Sequence, residues 1–192
     1  MRKILFVCIA IILAINLNAQ QTGKLEDPRD DKTYKTVKIG NQVWMAENLA
    51  YKPNSGKYWA YDNNKDNVAI YGYLYDWETA CNVCPTGWHL PSHEEWSQLT
   101  DFAGTNPSFK LRAKADWNNG NGTDDYGFSA LPGGSRNLTG TFSKLTKGGA
   151  WWSSTETGSS DAWNRVMIPS NGRVFNIDDN KRNGFSVRCI RD

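Results

Sequence analysis

Hydrophobic periodicity changes several times along the chain, and each change marks an element. Residues 33–47 alternate, with Tyr34, Val37, Ile39, Val43 and Met45 apolar and Gly40-Asn41 near the centre. That pattern predicts a β-hairpin, because a half-buried strand repeats its side chains every two residues. Residues 53–67 are polar, rich in Gly and Asn, and read as a loop. Within 73–80, Leu74, Trp77 and Ala80 share one helical face and predict a short helix. A second helix has a sharper start. Pro91 holds Leu90 outside the helical region, and Ser92 followed by Glu95 is a capping box. Trp96, Leu99, Phe102 and Ala103 then recur at helical spacing until Gly104 stops the run. Residues 106–135 carry Pro107, Pro132 and many glycines, and read as mostly irregular. In the last fifty residues, 150–154, 162–168, 173–177 and 185–191 read as short strands between Gly/Asn/Asp turns. The expected organisation is one domain over 33–192, preceded by a linker at 20–32.

The first nineteen residues have a different character. Arg2 and Lys3 precede a dense apolar run from Ile4 to Ile15, and the small Ala19 offers a cleavage site. This is the pattern of a secretory signal peptide, too short for a membrane span. Cys8 lies inside the apolar run and reads as part of the signal. No later stretch approaches 18 consecutive apolar residues, so no transmembrane segment is expected after the signal. Removing Arg2 and Lys3 from the 22 basic residues leaves 20 against 20 acidic ones. A formally neutral chain argues against nucleic acid and against a polybasic mode of membrane attachment. All nine tryptophans follow the signal. With abundant Gly and Asn, they suggest a loop-rich extracellular domain, secreted or held at the cell surface.

Cys81, Cys84 and Cys189 follow the signal. An oxidising destination favours a disulfide, and an odd count leaves one thiol over. Cys81-Asn82-Val83-Cys84 has redox-motif spacing, but Pro85-Thr86-Gly87 breaks the helix such a motif needs. A bridge from Cys84 to Cys189 would close a loop of about 100 residues and contribute roughly 4–5 kcal/mol in the chain-entropy model.

Five blocks carry a resemblance. They are the hairpin from Tyr34 to Leu49, Cys84-Pro85-Thr86-Gly87-Trp88-His89-Leu90-Pro91-Ser92, and Gly127-Phe128-Ser129-Ala130-Leu131-Pro132-Gly133-Gly134. Trp151-Trp152-Ser153-Ser154-Thr155-Glu156 and Gly184-Phe185-Ser186-Val187-Arg188-Cys189 complete the set. In this order they resemble the Fibrobacter succinogenes major paralogous domain, a family of secreted and surface bacterial proteins with no activity to transfer. More distantly, the chain resembles the C-type-lectin-like fold and its formylglycine-generating, sulfatase-modifying group. That resemblance implies an α+β fold of two short helices, a small twisted antiparallel sheet and long irregular loops. It also implies that the first and last strands lie side by side. Cys84 precedes the family-like Pro-Thr-Gly-Trp run and Cys189 sits in the closing strand. The resemblance therefore pairs them and leaves Cys81 unpaired or solvent-facing.

The chemistry-bearing residues point away from catalysis. The enzymes of the distant group need further cysteines near the closing strand, where this chain has Cys189 alone. His89 and His93 are the only histidines, too few for a zinc site of converging ligands. His93 falls at the first helical position and is expected to be exposed. A structural calcium is the one cofactor left open, at Asp62-Asn63-Asn64-Lys65-Asp66-Asn67 or within 118–125. Such Asx-rich stretches also form ordinary turns. The β-rich tail combines aromatic, amide and guanidinium groups, a set suited to sugar or protein recognition. For the Trp151-Trp152 pair, alternation predicts one ring inward and one outward. Trp152, Trp163, Asn164 and Arg173 are the expected ligand-binding residues. The expected function is a non-catalytic binding or adhesion module for an extracellular glycan or protein. A structural surface-assembly component is the alternative, and an enzyme of the formylglycine-generating type is disfavoured.

The signal reading makes a direct prediction. N-terminal sequencing of exported protein is expected to begin close to Gln20, and material still starting at Met1 would refute it.

Overall fold

A computed structural model describes residues 21–192. The signal peptide expected at 1–19, its expected cut beside Ala19, and Cys8 lie outside these residues. The elements begin with β1 (Thr22–Asp27), β2 (Lys32–Ile39), β3 (Gln42–Met45), β4 (Tyr58–Trp59) and a 3₁₀ turn at Tyr61–Asn63. Then come α1 (Asp66–Tyr71), β5 (Leu74–Tyr75), α2 (Trp77–Asn82), β6 (Trp88–His89), α3 (His93–Ala103) and α4 (Pro107–Leu111). The rest is β7 (Gly133–Arg136), β8 (Phe142–Leu145), β9 (Gly149–Glu156), β10 (Asp161–Met167), β11 (Phe175–Asn180) and β12 (Ile190–Arg191).

The fold is α+β, with few helices and mainly antiparallel sheets. One five-stranded sheet runs β1-β2-β3-β12-β6 and a second runs β11-β10-β9-β7-β8, with β4 and β5 as a separate pair. The predicted hairpin is β2–β3. Ile39 faces Gln42 across Gly40-Asn41, and Gly40 supplies the positive φ that a two-residue hairpin turn requires. The last strand does not lie beside the first: β12 pairs with β3, Ile190 opposite Trp44, because β1 and β2 occupy the sheet edge beyond β3.

Several expectations need correction. The stretch 20–32, expected to be a linker, contributes β1, which pairs with β2 over six residues. Instead of two helices and one small sheet there are four short helices and two five-stranded sheets among the described residues. The helix expected at 73–80 starts only at Trp77. Asp76 caps it by accepting from the Thr79 N–H at 3.1 Å, which leaves Leu74 on a strand. Regions 53–67 and 106–135 contain short elements whose few residues show no clear period. The run 185–191 is a strand only at its end. Before that it crosses between partners. Phe185 donates to Tyr75 O, Ser186 to Ala150 O, and Leu49 to Val187 O.

That crossing segment meets a buried polar hub. Asn48 Oδ1 accepts from Trp151 Nε1 and from Arg188 Nε, each at 2.9 Å. Its Nδ2 donates to Tyr71 O at 2.9 Å. Arg188 is fully buried and donates further to the carbonyls of Phe128 and Ser129. Burial pulls its pKa down to about 9.

Two apolar clusters form, one on each face of β9. Trp152 packs with Tyr75, Leu49, Phe185 and Val187. Trp151 packs with Trp44, Trp96, Leu99, Phe128 and Met167. Both adjacent tryptophans are therefore 0 % exposed, against the expectation of one outward ring. A central strand covered on both sides has no outward face. Each fully buried indole finds an acceptor. Trp44 donates to Gln42 Oε1, Trp96 to Trp152 O, Trp151 to Asn48 Oδ1, and Trp152 to Tyr75 O. The Cys84–Cys189 disulfide spans 105 residues, as the resemblance implied, and Cys81 is a free, half-buried thiol.

The start of α3 is as read. Ser92 Oγ accepts from the Glu95 N–H at 3.2 Å, and Glu95 Oε2 accepts from the Ser92 N–H at 2.7 Å. Trp96 lies 4.9 Å from Trp44 in the core. In denaturant melts, Ser92→Ala is expected to cost about 1 kcal/mol and Trp96→Ala about 3–5 kcal/mol. Small and equal losses would place α3 outside the cooperative core.

Candidate binding cleft

The four residues expected to bind ligand do not form one face. Trp152 is core, its ring 4.4 Å from Phe185, and it has no surface to offer. Asn164 is also buried. Its Nδ2 donates to Ile177 O at 3.0 Å and to Asp179 Oδ2 at 2.9 Å. Trp163 precedes Asn164 on β10 and so points to the opposite side, where it packs 4.9 Å from the His93 ring. Arg173 is exposed elsewhere, beside a shallow depression shared with Thr100, Asp101 and Pro107.

His93, expected to be exposed, is half-buried. Arg165 Nη2 donates to its carbonyl at 2.7 Å, and burial together with the Arg165 charge holds the imidazole pKa below 6.5. His89 is gripped from both sides, Nδ1 by Asp192 at 2.6 Å and Nε2 by Glu95 at 2.9 Å. The Asx-rich stretches serve turns. Asn64 Oδ1 accepts from the Asp66 N–H, and Asp124 Oδ1 accepts from the Ser129 N–H.

The concave feature lies on another part of the second sheet. A cavity of about 470 Å³ opens over the face of β10 and β9 that carries Val166 and Ala150. That is within the range of small-ligand sites, roughly 300–1,000 Å³. Phe185 and Ile168 complete an apolar floor. Strand order places two different polar groups at its ends. At the β8 end stand Lys144 and Lys147, with Arg136 on neighbouring β7. The Arg136 guanidinium lies 4.1 Å from the Trp59 ring centre, and its Nε is buried with no hydrogen-bond partner. Asp179 stands on β11, and Asn183 follows in the next turn beside Gly184, whose backbone pairs with that of Arg136.

Asp179 is the best-supported polar group of the cleft. Asn164 holds one carboxylate oxygen, and Asn183 Nδ2 reaches the other at 3.3 Å. Burial pushes the Asp179 pKa above 3.8, the Asn164 hydrogen bond opposes this, and the charges of Asp178 and Asp161 add to the rise. Both amide oxygens, Asn164 Oδ1 and Asn183 Oδ1, are buried and accept no hydrogen bond from the protein. An unpaired buried acceptor costs about 1–3 kcal/mol, so a donor arriving at Asn183 Oδ1 would recover part of that cost. Asp179 and Asn183 were not among the expected residues. One signal was available: in the β10–β11 register Ala162 faces Asp179 and Asn164 faces Ile177, so Asn164 and Asp179 share a side.

Residues 37–191 match the family model of the Fibrobacter succinogenes major domain. The chain belongs to this family. No curated protein and no solved structure matches it. The matched stretch contains every cleft residue, the disulfide and α3, whereas β1 precedes it. The Fibrobacter succinogenes major domain thus includes the cleft in full, and β1 with the first part of β2 extends its sheet.

The His89 clasp in this domain makes stability depend on pH. Burial alone would lower the His89 pKa, but the hydrogen bonds to Asp192 and Glu95 outweigh it and raise it above 6.5. For Glu95, burial is outweighed by hydrogen bonds from Ser92 and His89, which lower it below 4.5. A raised folded-state pKa stabilises fully below the unfolded value and is lost as pH rises through the folded one. The carboxylate contribution is present above 4.5 and is lost as pH falls further. The clasp is therefore strongest between roughly pH 4.5 and 6.5. The melting-temperature gap between the native protein and His89→Gln is expected to be widest there and to narrow above neutrality. Parallel pH curves for the two proteins would show that the clasp contributes nothing.

Proposed function

We propose that this chain is a secreted or surface-bound binding module on a C-type-lectin-like scaffold, with its ligand in the cleft over β9 and β10. The ligand is an extracellular glycan or protein group. One observation carries the reading: the cavity joins an apolar floor to a supported carboxylate and a buried amide oxygen that no protein group satisfies. Sites built this way bind through apolar contact and orient through a few placed polar groups.

The scaffold reading is supported by the pairing of β12 with β3 and by the long-range Cys84–Cys189 bond. Secretion is supported by the apolar leader in the sequence and by that disulfide, since such bonds persist in oxidising compartments. A non-catalytic role is supported by the state of the available nucleophiles. Burial pushes the Cys81 thiol up to about 11, far from the thiolate range that reactive cysteines need. Cys84 and Cys189 are consumed by their bond.

The test is capture. The purified protein is presented to a glycan array and to bacterial cell-wall fractions, alongside Asn183→Ala and Ser170→Trp. The first removes a cleft amide and the second adds bulk at an exposed rim position. Retention by the native protein and loss in both variants is expected. Capture indifferent to both variants would place the binding surface elsewhere.

A further inference from the structure

We infer that the cleft takes a carboxylate-bearing sugar, a uronic or sialic acid residue of a glycan. Its acid group would lie toward the lysine end and its hydroxyls toward Asp179 and Asn183. This rests on the binding-module reading and narrows its ligand.

The first observation is the charge around the rim. Arg136, Lys144 and Lys147 line the cavity against the single carboxylate of Asp179. Lys144 and Lys147 stand at the β8 end and Asp179 on β11, while Arg136 lies between them, its backbone paired with Gly184 beside Asn183. A ligand with one anionic group at one end and none at the other matches that division. A cationic ligand would meet three like charges. A plain anion would leave the β11 end unused.

The second observation is the hydrogen-bonding capacity at the β11 end. Asp179 oxygens each receive one amide donor and retain further lone pairs. Asn183 Oδ1 is an acceptor with no partner. What is missing is donors, and hydroxyls supply them. Because a hydroxyl donates and accepts, it serves Asp179 in either protonation state, which matters for a carboxyl that burial has already pushed upward.

The third observation is the floor. Ala150, Val166 and Phe185 present apolar surface between the two polar ends. A pyranose ring has an apolar C–H face with polar groups at its edge, so it can lie on such a floor while its substituents reach both ends. Gly148 adds no side chain to that part of the lining.

Calorimetric titration of the purified protein with D-glucuronic acid, N-acetylneuraminic acid, D-glucose and acetate tests the assignment. At least one acid sugar is expected to bind about tenfold more tightly than glucose, the scale of a charge-assisted contact. That preference is expected to shrink at high salt. It is also expected to vanish in Lys144→Ala/Lys147→Ala, whose exposed side chains can be removed without changing the melting temperature. Asn183→Ala is expected to weaken acid and neutral sugars alike.

Equal affinity for acids and glucose, or acid binding indifferent to the lysine pair, would overturn the inference. If Asn183→Ala still abolished capture in either case, the cleft would remain the binding site. Acetate binding as tightly as the acid sugars would show a simple anion site and overturn it too. So would a failure of every sugar to bind, whether or not a protein partner proved sensitive to the rim variant.

Discussion

The side-chain amide of Asn48 is the point on which the architecture turns. It stands where the early hairpin ends, and its four hydrogen-bonding positions reach three other parts of the chain. Its oxygen receives Trp151 from the second sheet and Arg188 from the closing segment, while its nitrogen bonds the carbonyl that ends α1. Arg188 then carries the connection onward to Phe128 and Ser129. A guanidinium buried without a carboxylate partner persists when carbonyl and amide oxygens take its N–H groups. Here most of those acceptors come from segments with no other regular pairing. The hub therefore does for the irregular middle of the chain what ladder bonds do for a sheet.

The hub holds β9 through Trp151, β9 is buried on both faces, and the cleft lies beside it. With Trp151 committed to one core and Trp152 to the other, β9 holds the second sheet rigidly between two packed layers. The cavity opens over β9 and β10 on the Trp152 side. Its floor is thus continuous with the core through Phe185 and Ala150, while its polar ends sit on edge elements. Rigid apolar support with polar groups at the periphery is a common arrangement for binding sites on a scaffold.

What could be read from the chain alone divides along the same line. The capped start of α3 was legible because Ser92 and Glu95 act on each other across three residues. The β2–β3 hairpin was legible because Gly40 sits between two alternating runs. The family blocks identified the domain, and with it the Cys84–Cys189 pair. The site was not legible in the same way. Trp152 looked like a surface aromatic because nothing local shows that both sides of β9 are covered. Trp163 and Asn164 were grouped although strand neighbours point apart, and alternation alone could have separated them. Asp179 gains its importance from Asn164 on the neighbouring strand and from Asn183 in the following turn. That relation exists only once the register is set.

The closure of the first sheet also has a meaning in time. Asn48 and Arg188 are 140 residues apart, and β3 waits for β12. Contacts this distant slow folding, because chain entropy is surrendered before the contact repays it. The early hairpin leaves the ribosome well before its partners exist. A polypeptide wired this way remains an open thread through most of its synthesis, and the bond between Cys84 and Cys189 can close only once the last strand has been made.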